Sequence, residues 1–137
     1  MRNLLLVFLG GGLGSAARYA VALAIARAIP PSETHPRWGS VHLTATLAAN
    51  AIGCLLIGFA WGRMGIGVRE EHRLLLIVGF LGGFTTLSSV GWETVSLIGR
   101  SQIGLAAGYI LVTVALALLA TWLGHTLGHA ASPSATQ

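Results

Sequence analysis

Long apolar runs separated by short polar clusters set the pattern along this chain. Three runs carry no charged side chain: Trp38 to Gly62, Leu74 to Trp92, and everything from Ser101 onward. A fourth, Asn3 to about Ile29, is nearly as apolar but holds Arg18 near its middle. A helix rises about 1.5 Å per residue and needs about 20 mostly apolar residues to cross the hydrocarbon core. The pattern therefore predicts an all-α integral membrane protein with four transmembrane helices, at about 3–29, 40–61, 73–97 and 101–124. The polar punctuation agrees. Pro30-Pro31-Ser32-Glu33-Thr34-His35-Pro36 cannot continue a helix, Gly62 to Glu71 reads as the second loop, and Gly99-Arg100-Ser101 reads as a tight third turn. After about Gly124 the chain reads as a frayed tail.

Composition sharpens this picture. Of 137 residues, 54 % are apolar and 9 % are charged, against roughly 25 % charged in soluble domains. With a mean hydropathy of +0.76, one soluble core would leave too little polar surface to cover it, which excludes a soluble enzyme or a nucleic-acid module. The net charge of +4 comes from scattered Arg residues that form no phosphate-tracking stripe. Cys54 is the one cysteine, so neither an intrachain disulfide nor a zinc cluster is available.

The N-terminal run, Arg2 then Leu4 to Leu9, has a signal-peptide look, and Ala22-Leu23-Ala24 offers a cleavage pattern. The cluster Gly10-Gly11-Gly12-Leu13-Gly14 followed by Arg18 suits close helix packing instead, so the first helix is read as retained. Four spans place Arg2, Arg63, Arg69 and Arg73 on one side and Arg27, Arg37 and Arg100 on the other. Orientation follows an excess of Lys and Arg on the cytoplasmic side, so this near tie allows insertion both ways up and an antiparallel dimer. A fixed topology set by Arg63, Arg69 and Arg73 together is the alternative.

Polar groups inside the spans must find partners in a solvent that offers none. Arg18 faces a water-filled cavity or an anion, or else snorkels to the nearer interface. His42, Thr46, Asn50 and Cys54 recur every four residues and form one stripe on the second helix. Asn50 is its deepest strong polar group and serves either as an anion donor or as an interhelical tie. The third span, Gly79-Phe80-Leu81-Gly82-Gly83-Phe84-Thr85-Thr86-Leu87-Ser88-Ser89, sets three Gly beside four hydroxyls, which predicts a broken helix whose freed carbonyls can coordinate a cation. Glu93 falls near that span's end and reads as interfacial. In the fourth span Tyr109 and Thr113 share a face, and Gly104 with Gly108 forms a small-xxx-small pair for close approach. Other motifs fail: the early Gly cluster lacks dinucleotide-loop spacing, and His125 with His129 on a fraying end reads as a chance pair.

Three strings in order, Gly11-Gly12-Leu13-Gly14-Ser15-Ala16-Ala17-Arg18-Tyr19, Thr46-Leu47-Ala48-Ala49-Asn50-Ala51-Ile52-Gly53 and Gly79-Phe80-Leu81-Gly82-Gly83-Phe84-Thr85-Thr86, resemble the Fluc/CrcB fluoride channels. The resemblance covers all four spans. It implies a passive, fluoride-selective channel in a cell inner or plasma membrane, built as an antiparallel, dual-topology dimer that passes fluoride out of the cell down its gradient. It divides the chain into a four-helix channel domain, residues 1–128, and a flexible tail, 129–137. It further implies a structural sodium ion at the dimer centre on the main-chain carbonyls of Gly82 and Thr85. The fluoride path is implied to be lined by Thr46, Asn50, Ser88, Tyr109 and Thr113, with Arg18 in or near a polar vestibule. Such donors suit fluoride, which is small and strongly hydrated and needs closely packed uncharged donors to replace its water.

One departure stands out. The family usually continues Phe-Ser-Thr-Phe after the paired Thr, with both rings contacting fluoride, whereas this chain has Leu87-Ser88-Ser89-Val90. Either the pore tolerates aliphatic walls, or a paralogous partner supplies the rings in a heterodimer. The rival reading is a small multidrug-type exporter, but that class carries its proton-coupled acid in the first span, where this chain has none. The expected partners are fluoride, membrane lipid and a second subunit, not nucleic acid, and no enzymatic activity is expected.

Overall fold

The computed structural model describes residues 1–29, 37–64 and 68–131, and the side chains of 37–40 and 64 are not described. The expected first loop, most of the second-loop glycines and the last six residues lie outside them. Helix α1 runs over Arg2–Ala28 and α2 over Arg37–Met64. The third span is split into α3, residues 70–84, and α4, Leu87–Gly99. Helix α5 covers Ile103–Ala130. No strand occurs among the described residues, and four helical stretches are long and apolar enough to cross a membrane.

The helices pair as α1 with α3 and α2 with α5, while α4 packs on α5 and α2. Both pairs form where glycines remove the side chain. An added Cβ at Gly14 would lie 2.0 Å from the Phe80 carbonyl oxygen, and one at Gly124 would lie 2.1 Å from that of Leu55. Nothing but hydrogen fits there, so the backbones approach as closely as chains allow, the packing that lipid-embedded helices use in place of a hydrophobic drive. The most apolar 18-residue window of α1 is only 11 % buried within the chain and that of α2 28 %. Most apolar surface thus faces outward, as expected where lipid is the solvent.

Four boundaries or packings differ from the sequence reading. Helix α2 continues past the expected end to Met64. The third span runs from Glu70 to Gly99, two to three residues longer at each end than expected. Helix α5 does not fray at Gly124 but continues to Ala130, because Gly124 and Gly128 hold its last turns against Phe59 and Arg63 of α2. The expected Gly104–Gly108 contact is absent: a Cβ at either position meets nothing within 4 Å in this chain. The pair that works is Gly58–Gly62 against Gly124–Gly128.

At the base of the bundle, Arg2 pairs with Glu71 at 3.1 Å and Asn3 donates to Glu70 at 3.1 Å. These contacts bring the chain start and the beginning of α3 to the same side. Between His72 and Gly82 the helix winds as a π-helix, Arg73–Leu81, a wide form that recurs near functional sites. At the other side α4 ends in a tight turn, as expected, with Ser101 rather than a glycine taking the left-handed φ of 60°.

Candidate functional site

The site begins at the break. Thr85 and Thr86 adopt extended backbone conformations, φ −87° with ψ 153° and φ −149° with ψ 116°. Irregular backbone at membrane depth survives only if its polar groups are satisfied by protein or water. Asn50 does this for Thr86 from both sides: its Nδ2–H donates to the Thr86 carbonyl at 3.2 Å, and its Oδ1 accepts the Thr86 N–H at 2.8 Å. Of the two roles left open for Asn50, the structure displays the tie, between α2 and the break.

Thr86 also starts α4. Its Oγ1 accepts the Ser89 N–H at 3.2 Å, a helix N-cap, and lies 3.0 Å from the Ser88 hydroxyl. These choices divert donors from the carbonyls behind them. The N–H that would close a helical turn on Gly82 is spent on Asn50, and the one that would close on Thr85 is spent on the Thr86 hydroxyl. Gly82 is exposed. The Gly83 carbonyl is drawn the other way and accepts from Ser15 Oγ and Arg18 Nε of α1, each at 3.4 Å. Arg18 therefore lies half-buried against the break.

A second cluster sits one helix face along. Glu93 of α4 is half-buried and accepts from two hydroxyls, Thr46 of α2 at 2.7 Å and Tyr109 of α5. Thr113 is buried and donates back to the Tyr109 carbonyl at 2.7 Å. Of the expected path residues, Asn50 and Ser88 thus meet at Thr86, and Thr46 and Tyr109 meet at Glu93. Thr113 supports Tyr109 and Arg18 stands apart on α1.

Glu93 is the residue the sequence reading missed. Placed by count near a span's end, it lies in the middle of α4, where hydroxyls of α2 and α5 both reach it. The signal was present: Ser89, Glu93, Ser96 and Arg100 recur on one helical face. That face forms one wall of a groove of about 500 Å³, with His42 and Leu43 of α2 opposite and Ser88 and Trp92 beside it. Among the described residues no group of three or more metal-ligating side chains occurs.

Helix spans tied by such a site match one family: residues 5–125 fit the CrcB-like protein, Camphor Resistance (CrcB), family. The chain belongs to the CrcB family. A Pseudomonas fluorescens protein named fluoride-specific ion channel FluC is 42 % identical over 126 residues, covering 90 % of this chain and 94 % of its own length. Proteins of the same name from Bacteroides fragilis and Agrobacterium fabrum are 36 % and 38 % identical over 129 and 130 residues, each covering 93 % of this chain and 97 % of their own length. The CrcB match takes in the break, the groove and both glycine crossings up to His125, while the last turn of α5 lies beyond it.

Proposed function

We propose that the chain is a subunit of a passive fluoride channel in a cell membrane, an ion path and not an enzyme. The observation that carries this reading is the groove between α2 and α4, where the uncharged hydroxyls of Ser88, Ser89 and Ser96 flank Glu93, and Arg100 stands at the helix end. Its relatives' printed name supports fluoride as the ion. Membership of the CrcB family, and an α1 without any acidic residue, leave the proton-coupled exporter without support.

The chemistry follows from the donor set. Fluoride gives up water only to donors that match it closely, and leaves only if none holds it too strongly. Arg100 raises the local anion concentration at the rim. Deeper in, the Thr46 and Tyr109 hydroxyls are already aimed at one point, but Glu93 occupies it. The carboxylate thus keeps a donor pair oriented, and fluoride passes when Glu93 releases that pair to it.

The working unit in this reading is an antiparallel dimer with dual topology, which the four-against-three distribution of Arg permits. The carbonyls of Gly82 and Thr85, stripped of their helical donors, fit a hard cation that prefers oxygen ligands, here sodium. Such an ion would supply the positive charge that offsets freed carbonyl dipoles at depth. Direction is set by the gradient, outward when the cytoplasm holds more fluoride.

Homodimer and heterodimer remain distinct readings, and one observation favours the second. Val90, at a position where the family carries a ring, is buried in a core cluster with Leu97, Ala106 and Tyr109, while Leu87 is 83 % exposed. Neither offers an aromatic edge. Reconstituting the chain alone in liposomes and following fluoride with an ion-selective electrode, chloride as control, decides. Fluoride-selective efflux establishes a self-sufficient channel; efflux only on adding the paralogue establishes the heterodimer; no efflux in either arm overturns the channel reading.

A further inference from the structure

Ser88, Trp92 and Ser96 follow one another at four-residue steps on α4, and all three line the groove. Each step advances about 6 Å along the helix. Trp92 is 73 % exposed, and its indole N–H makes no hydrogen bond among the described residues. Among the described residues it is the only indole or phenyl ring on the groove wall.

The indole Nε1–H is a donor that cannot accept, so it bonds anions and carbonyls and never a cation. It is also uncharged, which lets a bound ion leave. The ring edge beside it carries positive electrostatic potential, adding to the attraction for an anion. A hydroxyl above and a hydroxyl below, at helical spacing, complete a ladder of neutral donors from the break toward Arg100.

We propose that the Trp92 indole N–H is an anion donor on the fluoride path, bridging the steps between the Ser88 and Ser96 hydroxyls. This inference rests on reading the groove as that path. The competing role for an exposed membrane tryptophan is anchoring at the lipid headgroups. Trp61 and Trp122, which flank a separate apolar groove with Thr121 and His125, serve as the controls for that role.

The test uses the full chain, labelled with 15N-tryptophan in detergent micelles and titrated with sodium fluoride, with sodium chloride in parallel. The indole resonance that disappears in Trp92→Phe shifts saturably with fluoride and not with chloride, while the Trp122 resonance stays in place. In liposomes Trp92→Phe lowers fluoride efflux about tenfold, the loss expected for one hydrogen bond to a charged group. Trp92→His, which restores a ring N–H, recovers part of that loss, and Trp122→Phe leaves efflux unchanged. A Trp92 resonance that fluoride does not move overturns the proposal, as does a folded Trp92→Phe chain that conducts like the parent. A fluoride-dependent Trp92 shift in a parent chain that conducts neither alone nor with the paralogue upholds the indole as an anion donor and overturns the channel reading, so the two failures are told apart.

Discussion

Where α1 crosses α3 and α2 crosses α5, backbone lies directly on backbone, whereas around Thr85 and Thr86 the helices are joined by side chains reaching across a gap. The first kind of contact is defined by what is missing. At Gly14, Gly83 and Gly124 even one carbon has no room, with Cβ contacts of 2.0, 2.4 and 2.1 Å to carbonyl oxygens. The second kind is defined by what is present, one amide serving both polar groups of a single residue. The difference separates two jobs. Glycine crossings set how closely the helix pairs approach, while the polar joints satisfy the backbone of the break and bring two hydroxyls to one carboxylate.

The strongest way to break this comparison is at a crossing. Gly14→Val is expected to abolish recovery of folded, monodisperse protein, whereas Gly108→Val, with nothing within 4 Å, is expected to leave the fold of the single chain intact. Size-exclusion profiles and circular dichroism in detergent check both. Equal tolerance of the two changes would show that the crossings are not what sets the pairs.

Next comes the amide. Asn50→Leu strands the Thr86 N–H and carbonyl together and is expected to cost about 2–4 kcal/mol, from two groups at roughly 1–3 kcal/mol each less partial relaxation. Fluoride efflux and thermal stability should therefore fall together. Efflux lost with the melting temperature unchanged would make Asn50 a pore donor and not a tie.

The smallest expected effects lie at Glu93. Thr46→Val and Tyr109→Phe should each cost about 1–2 kcal/mol, and in a Glu93→Gln background each should cost less, a coupling of about 0.5–1 kcal/mol in a double-mutant cycle. Strict additivity would mean that the two hydroxyls do not depend on the carboxylate.

How legible the molecule was in its sequence depends on the kind of signal. The spans followed from apolar length, and the break from Gly82-Gly83 beside Thr85-Thr86, because local composition alone disfavours a continuous helix there. The packing glycines were legible only in part. Gly104–Gly108 and Gly124–Gly128 have the same spacing, and among the described residues of the chain only the second pair meets another backbone. Glu93 was not recognised as a meeting point because counting along one span says nothing about which hydroxyls of α2 and α5 stand opposite.

Chain composition by itself determined the solvent, the number of spans, the broken third helix and the family, since each depends on properties of contiguous residues. Tertiary structure alone decided that Asn50 grips Thr86, that Glu93 gathers Thr46 and Tyr109, and that α5 holds its form to Ala130. The reason is physical: a polar group in lipid takes whichever partner the crossing helices bring within reach, and that depends on helix register and approach, which no single stretch of sequence contains.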